Sequence, residues 1–327
     1  MIPLSVLDLV PVREGEEVSH ALRQTGELAA CAEKAGYKRF WVAEHHATEG
    51  VAGGAASVVI AHIGHCTSTI RIGSGGIMLP NHNPFVIAEQ FGTLAGLFPG
   101  RVDLGLGRAP GAAQILGQAL RKELHRAAEY FPQDVVELRA LLTGDVELPI
   151  RATPGFGAEV ELWMLGSSLF GAQLSARLGM PYAFASHFAP DHLDEALATY
   201  RRDFRPSEYL DQPCCMAAMT VIAADTDEEA EYLASSQEQA FVRLRSGDPG
   251  KLPPPVRDYR GTLPPEARAM LDRLGQARAV GSPGTVAQKI REFVKRTGAD
   301  EIMTSGAIFD PDSRCRSLQL AMEAISG

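Results

Sequence analysis

The 327-residue sequence predicts a single (β/α)8 TIM barrel over residues 1–327, interrupted by one long lid insertion ahead of its last helix–strand unit. Three observations lead there. Short apolar runs suited to buried parallel strands alternate with segments of helical period, and eight such strands can be counted. The first strand is followed by Leu9-Val-Pro-Val-Arg-Glu14, without the glycine-rich turn that opens a nucleotide-binding open sheet. The composition, 45% hydrophobic and 22% charged, is that of a folded globular chain, and barrels of this length commonly form one unit.

The first strand spans Leu4–Leu9. Val18, Leu22, Thr25, Ala29 and Ala32 then share one helical face, and Gly36 can close that helix in the left-handed conformation. Arg39–Ala43 is the second strand and Ile70–Met78 the third. Asn83-Pro84 opens a helix whose stripe runs from Ile87 through Phe91 and Leu94 to Phe98, before Pro99-Gly100 stops it. Further strands fall at Val102–Leu106, Glu161–Leu165, Pro181–Ala185 and Met216–Ala223. Asp225 to Glu228 reads as a capping box for a helix carrying Ala230, Leu233, Ala234, Ala240, Phe241 and Leu244.

Residues 246–284 break this rhythm with Pro253-Pro254-Pro255, Pro264-Pro265 and a Gly281–Gly284 turn. A Pro/Gly-rich insertion of that length is either a mobile lid over the barrel mouth or a passive surface loop. Helix Pro283–Arg296, the last strand Glu301–Ser305 and helix Pro311–Ile325 complete the barrel, with Ser282 and Asp310 as caps.

Charge narrows the partners. Lys plus Arg is 31 and Asp plus Glu is 40, a net charge of −9 with no basic block, which argues against nucleic-acid or anionic-membrane binding. The longest apolar stretch, around Cys214 to Ala224, is too short to span a bilayer, and the N-terminus lacks signal-peptide character. A cytoplasmic protein is expected. Cys31, Cys66, Cys214, Cys215 and Cys315 form no CxxC, so buried reduced thiols are expected rather than disulfides or a zinc knot.

A barrel gathers its chemistry at the C-terminal ends of its strands. Strand two ends in Glu44-His45-His46. Adjacent residues of an extended chain point to opposite faces, so these histidines do not converge on one metal ion. HExxH is absent, and His62 and His65 have no carboxylate nearby in sequence; no metal is expected. One of His45 and His46 is instead an acid–base candidate, because imidazole titrates near neutrality. Gly73-Ser-Gly-Gly76 is too short for a P-loop and marks a bend or a close approach of backbone to ligand. Gly166-Ser167-Ser168 leads straight into a helix, where free N–H groups and two hydroxyls can cradle an anion. Arg108, ending strand four, could reach the same anion with paired donors. Plain serine capping and a surface arginine are the simpler alternative to a phosphorylated ligand.

Phe40-Trp-Val-Ala-Glu-His-His46, Ile72 to Pro80, Gln90 to Leu97 and Gly100 to Arg108 together resemble the bacterial luciferase-like flavin monooxygenases. Leu165 to Ser168, Gly179 to Ala185 and Asp300 to Asp310 extend the resemblance in order along nearly the whole chain. It implies a barrel, often dimeric, that uses reduced FMN and O2 on a small-molecule substrate. Carried over by position, His45 is the active-site histidine with Glu44 beside the flavin pocket. Gly75-Gly76 hosts an unusual cis peptide under the flavin ring, and Arg108, Ser167, Ser168 and Gly171 bind phosphate. The lid region falls where the family carries its mobile loop. Two positions depart from the luciferases themselves: Gly107 stands where they have a reactive cysteine, and Ser167 where they have a carboxylate. Light emission is therefore not expected.

Three functions follow as expectations. The first is a monooxygenase supplied with reduced FMN by a separate flavin reductase, since no second nucleotide-binding fold is legible. A hydride-transferring relative that uses F420 is the second, and a flavin-binding protein without turnover the third.

Overall fold

The computed structural model describes residues 2–108, 114–144 and 149–326. Its nine strands are β1 (Leu4–Asp8), β2 (Arg39–Val42), β3 (Arg71–Met78), β4 (Val102–Gly107), β5 (Glu161–Gly166), β6 (Tyr182–Phe184), β7 (Cys215–Ala223), β8 (Arg278–Gly281) and β9 (Glu301–Ser305). All pairings are parallel. Strands β1 to β7 follow one another around a cylinder, and β9 closes it by pairing with both β7 and β1. The (β/α)8 barrel expected from the alternation of strands and helices is therefore the fold.

The intervening α-helices are α1 (Val18–Ala35), α2 (Ala56–Cys66), α3 (Pro84–Leu97), α4 (Gln114–Leu120), α5 (Leu124–Thr143) and α6 (Leu169–Leu178). They continue with α7 (Leu193–Asp203), α8 (Asp227–Arg245), α9 (Tyr259–Thr262), α10 (Pro265–Leu274), α11 (Pro283–Thr297) and α12 (Pro311–Ser326). Gly36 closes α1 at φ 93°, the left-handed region that a glycine enters without a Cβ clash. Asn83 caps α3 by accepting from the Phe85 N–H, and Asp310 caps α12 by accepting from Ser313. The cap of α8 lies one residue on from the predicted Asp225: Thr226 accepts from the Glu229 N–H at 3.1 Å. Asp227 accepts from the Ser282 N–H and ties α8 to the start of α11.

Two apolar layers follow from the two-residue period of the strands. Outward residues such as Val6, Phe40, Ile72, Val102 and Leu104 pack under the helices. Inward ones, Leu7, Trp41, Trp163, Ala183, Met216, Ala218 and Met303, fill the middle of the cylinder. Below them the first inward position of several strands is charged: Arg39, Arg71, Asp103, Glu161 and Glu301 form one ion network.

The insertion is structured. It carries α9, α10 and β8, and β8 is the strand that sequence reading misses, four residues hidden among prolines and glycines. Residue Thr220 pairs with Ser305 on one side and Arg278 on the other, so β8 extends the edge of β7 that β6 occupies lower down. Near the start of the insertion, Leu252 exchanges backbone hydrogen bonds with Val12 and Glu14.

A second correction concerns the cysteines. Cys31 of α1 and Cys315 of α12 are joined in a disulfide, whereas Cys66, Cys214 and Cys215 are free. A sequence separation of 284 between the bonded pair gives no sequence signal; the ring of helices brings chain start and chain end together.

Candidate active site

A cavity of about 540 Å³ opens at the C-terminal end of the barrel, within the usual size range of small-molecule sites. Its floor is the inward layer of Leu7, Trp41, Leu165, Met216, Ala218 and Met303. Insertion residues Pro249, Gly250, Leu252, Arg260, Leu271 and Leu274 wall one side. The insertion thus contributes to the chamber itself.

Gly75 lies in the cavity wall, and the Gly75–Gly76 peptide is cis. The β3–β4 register slips here by one residue, Ser74 facing Leu104 and Ile77 facing Leu106, which is a bulge. A Cβ on Gly75 would stand 2.6 Å from Leu7 and about 3.1 Å from Trp41, and one on Gly76 would stand 2.6 Å from the Gly105 carbonyl. Backbone closes Gly76 to any side chain, while a Cβ at Gly75 would have to displace the tip of Leu7 and press on Trp41; as it stands, the wall beside Trp41 is bare backbone.

The histidine pair divides as extended geometry requires. His45 projects into the cavity and forms no hydrogen bond among the described residues. Surrounding protein pushes its pKa down; the Glu44 charge opposes this and His46 adds to it. His46 turns away. Its Nε2 meets Glu44 Oε1 at 2.5 Å, and His82 Nε2 meets the same oxygen at 2.6 Å. The other oxygen accepts from the Met78 N–H at 2.8 Å. Glu44 is buried, which raises its pKa, yet the His82 bond and charge and the Met78 N–H bring it below its ordinary value. The carboxylate therefore acts from behind the wall, clamping the loop after β2 to the end of β3. The donor atoms of Glu44, His46 and His82 lie within 4.8 Å of one another, close enough to converge on a divalent ion if both imidazole bonds were broken.

The predicted anion site assembles from neighbouring loops. Ser167 and Ser168 precede α6, and Ser168 is its N-cap but makes no side-chain capping bond, so the first N–H groups of α6 are not taken by it. The exposed Arg108 guanidinium lies 4.0 Å from the ring centre of Phe170 in the first turn of α6, and no ion pair holds it among the described residues. Gly171 is buried beneath this turn, where a Cβ would stand 3.3 Å from both Gly166 and Tyr182; it lets α6 sit tightly on β5. These groups lie outside the cavity wall that contains His45 and Gly75, as the head and tail of an elongated ligand would require.

Two residues were missed from the sequence. His82 stands one residue before the cap of α3, a position that only the fold shows to lie over Glu44. His187 follows β6 in the cavity wall, and the barrel rule of looking after each strand would have found it had the loop after strand six been searched. Farther up the wall, Arg260 and Arg278 both bind Glu238, and Arg314 binds Asp8.

The closed barrel and the cavity at the C-terminal end of its strands are those of a (β/α)8-barrel enzyme. The family described as luciferase-like monooxygenase matches residues 3–301, and the chain belongs to it. It is accordingly a monooxygenase, an oxidoreductase that incorporates oxygen. A luciferase-like monooxygenase of Escherichia coli K12 is 46% identical over 98% of this chain and 96% of its own. The structure is similar to that of apo-MsnO8, with a TM-score of 0.89 at 35% identity over 100% and 99% of the two chains. At 18% identity, the oxygenating constituent of 3,6-diketocamphane monooxygenase from Pseudomonas putida, solved with FMN, shares the fold with a TM-score of 0.74 over 98% and 97%. An F420-dependent secondary alcohol dehydrogenase shares it at 15% identity, with a TM-score of 0.72 over 99% of both chains. Among the described residues no helix is long and apolar enough to cross a membrane.

Proposed function

We propose that this enzyme takes reduced FMN from a separate flavin reductase and uses it with O2 to oxidise a small organic substrate. The observation that carries the reading is the pairing of a bare-backbone cavity wall at Gly75 with a free guanidinium at the N-terminus of α6. A flat ring fits the first, and a phosphate fits the second. The FMN-containing relative supports FMN, and F420 is the alternative that the second fold relative represents.

When bound, FMN would supply the electrons that activate O2. The chain's own groups do the rest. Arg108, Ser167, Ser168 and the first N–H groups of α6 would hold the phosphate, and Gly171 lets that helix sit close. His45, kept neutral by its surroundings, can take or give a proton at the cavity wall near neutral pH. Glu44 positions this loop through His46 and Met78. The apolar floor and the lid residues exclude water from the reacting atoms. A homodimer, which the family resemblance implies, belongs to the same reading.

The test is an anaerobic titration with reduced FMN and reduced F420. Wild type should prefer FMN, and Arg108→Ala should weaken it by roughly 1.5–3 kcal/mol, the worth of a charge-assisted phosphate contact. Unchanged affinity would remove Arg108 from the site, and tighter binding of F420 would move the reading to hydride transfer. Rapid NADPH oxidation by the purified enzyme alone would rule out the separate reductase.

A further inference from the structure

The cavity holds a second imidazole that the flavin reading leaves unused. His187, in the loop after β6, lines the chamber with His45, and its ring packs edge-on against Phe188 at 5.0 Å. Its Nδ1 is fully buried with no hydrogen-bond partner. Its Nε2 makes no protein hydrogen bond among the described residues either, but this atom is not sealed off. An imidazole in this setting has a favoured tautomer. Either tautomer leaves Nδ1 unpaired, but a buried orphan N–H is rarer in folded proteins than a buried orphan acceptor, so the proton is assigned to Nε2. The doubly protonated form would bury an unpaired N–H as well as a charge. Burial and the neighbouring His45 accordingly hold the pKa of His187 down at about 4. His187 therefore offers the chamber one N–H donor across the neutral range.

The rest of the wall defines what that donor meets. Arg260 is paired with Glu238 and Asp272, Arg278 with Glu238 and Glu231, and Arg314 with Asp8. Gln237 is committed to the Ala307 N–H and Thr220. Arg245 is exposed and stacked on Phe241, away from the apolar floor. What remains beside His45 and His187, apart from the hydroxyls of Thr48 and Ser305, is largely aliphatic and aromatic surface.

From this we infer that His187 anchors the substrate, its Nε2–H donating to an uncharged oxygen acceptor on a largely apolar molecule and holding that end beside His45. The inference rests on the proposed site for its catalytic meaning, but the anchoring can be tested without flavin. Saturation-transfer NMR on the apoprotein would compare 2-octanone with 2-methyl-1-octene, a probe of the same shape without the acceptor. Wild type should bind the ketone roughly three- to tenfold more tightly, the worth of one net hydrogen bond. His187→Leu should abolish the difference by weakening ketone binding, while His187→Gln, which can restore a donor near the Nε2 position, should recover part of it. Equal binding of the two probes by wild type, binding of neither, or a preference that persists in a folded His187→Leu protein would overturn the inference. If His187→Leu fails to fold, the wild-type comparison and His187→Gln still decide. Reduced FMN titrated into the same proteins separates the two readings: lost FMN binding in wild type sinks the flavin assignment, whereas an altered ketone preference with intact FMN binding concerns His187 alone.

Discussion

The two ends of the barrel treat buried polarity in opposite ways. At the N-terminal end, Arg39 sits at the centre of a closed network, bonded to Asp103 at 2.9 Å, Glu161 at 3.0 Å and Glu301 at 2.8 Å. Ser5 adds a bond to Glu301, and the indole N–H groups of Trp41 and Trp163 donate to Asp103 and Glu161. The guanidinium also lies 4.8 Å from the centre of the Trp163 ring, so it is capped from above by an aromatic face. At the C-terminal end, His45 and His187 have no protein partner among the described residues, and one imidazole nitrogen is buried and unsatisfied. The N-terminal end satisfies its polar groups within one network; the C-terminal end pairs most of its own but leaves these two imidazoles without a protein partner among the described residues. Trp41 joins the two, its indole N–H in the lower network and its ring in the cavity floor.

Breaking the lower network should have the largest effect. Arg39→Met removes the cation shared by Asp103, Glu161 and Glu301, leaving Asp103 to Arg71 and Glu301 to the half-exposed Lys38, and the loss of stability should be about 3–5 kcal/mol, measured by urea unfolding. If the network adds nothing beyond apolar packing, the loss will be below about 1 kcal/mol. Glu44→Gln comes next. It replaces a carboxylate that accepts from two imidazoles and one backbone N–H, so about 1–3 kcal/mol should be lost. The Nε2–H proton resonances of His46 and His82 should shift with it, and unmoved resonances would show that Glu44 does not hold them.

The smallest effect is one of pH. His187 has a pKa of about 4 in the folded chain against an ordinary 6.5, so the unfolded chain takes up the proton first as pH falls. Its contribution to stability is whole above pH 6.5 and is lost progressively from there toward pH 4. His45 titrates in the same direction. Glu44, also lowered, adds its own acid loss only below its ordinary 4.5. Between pH 6.5 and 4.5 the histidines can therefore be read separately: His187→Gln should flatten the fall in Tm there and leave it unchanged at pH 8. An identical slope in the two proteins would show that His187 is not held neutral by the fold.

Much of the frame was legible because it is local. The strand runs, the Asn83 and Asp310 caps, the αL glycine at Gly36 and the alternation that separates the faces of His45 and His46 each depend on a few neighbouring residues. The cavity floor was hidden because its members come from strands far apart in sequence. Strand β8 was hidden because four residues among prolines carry little periodic signal, and the disulfide because its halves stand at a sequence separation of 284.

From its own order of residues this chain determined the number of strand–helix units, the glycine pair at 75 and 76, and a histidine at the end of the second strand. Those are consequences of backbone sterics and of the two periods of side-chain direction. Tertiary structure alone decided that Glu44 would be shared by two imidazoles, that a proline-rich insertion would wall the chamber, and that His187 would face it with an open donor. Those outcomes depend on which distant loops the closing cylinder brings within hydrogen-bonding reach, and a contact between loops dozens of residues apart leaves no mark on either loop's own sequence.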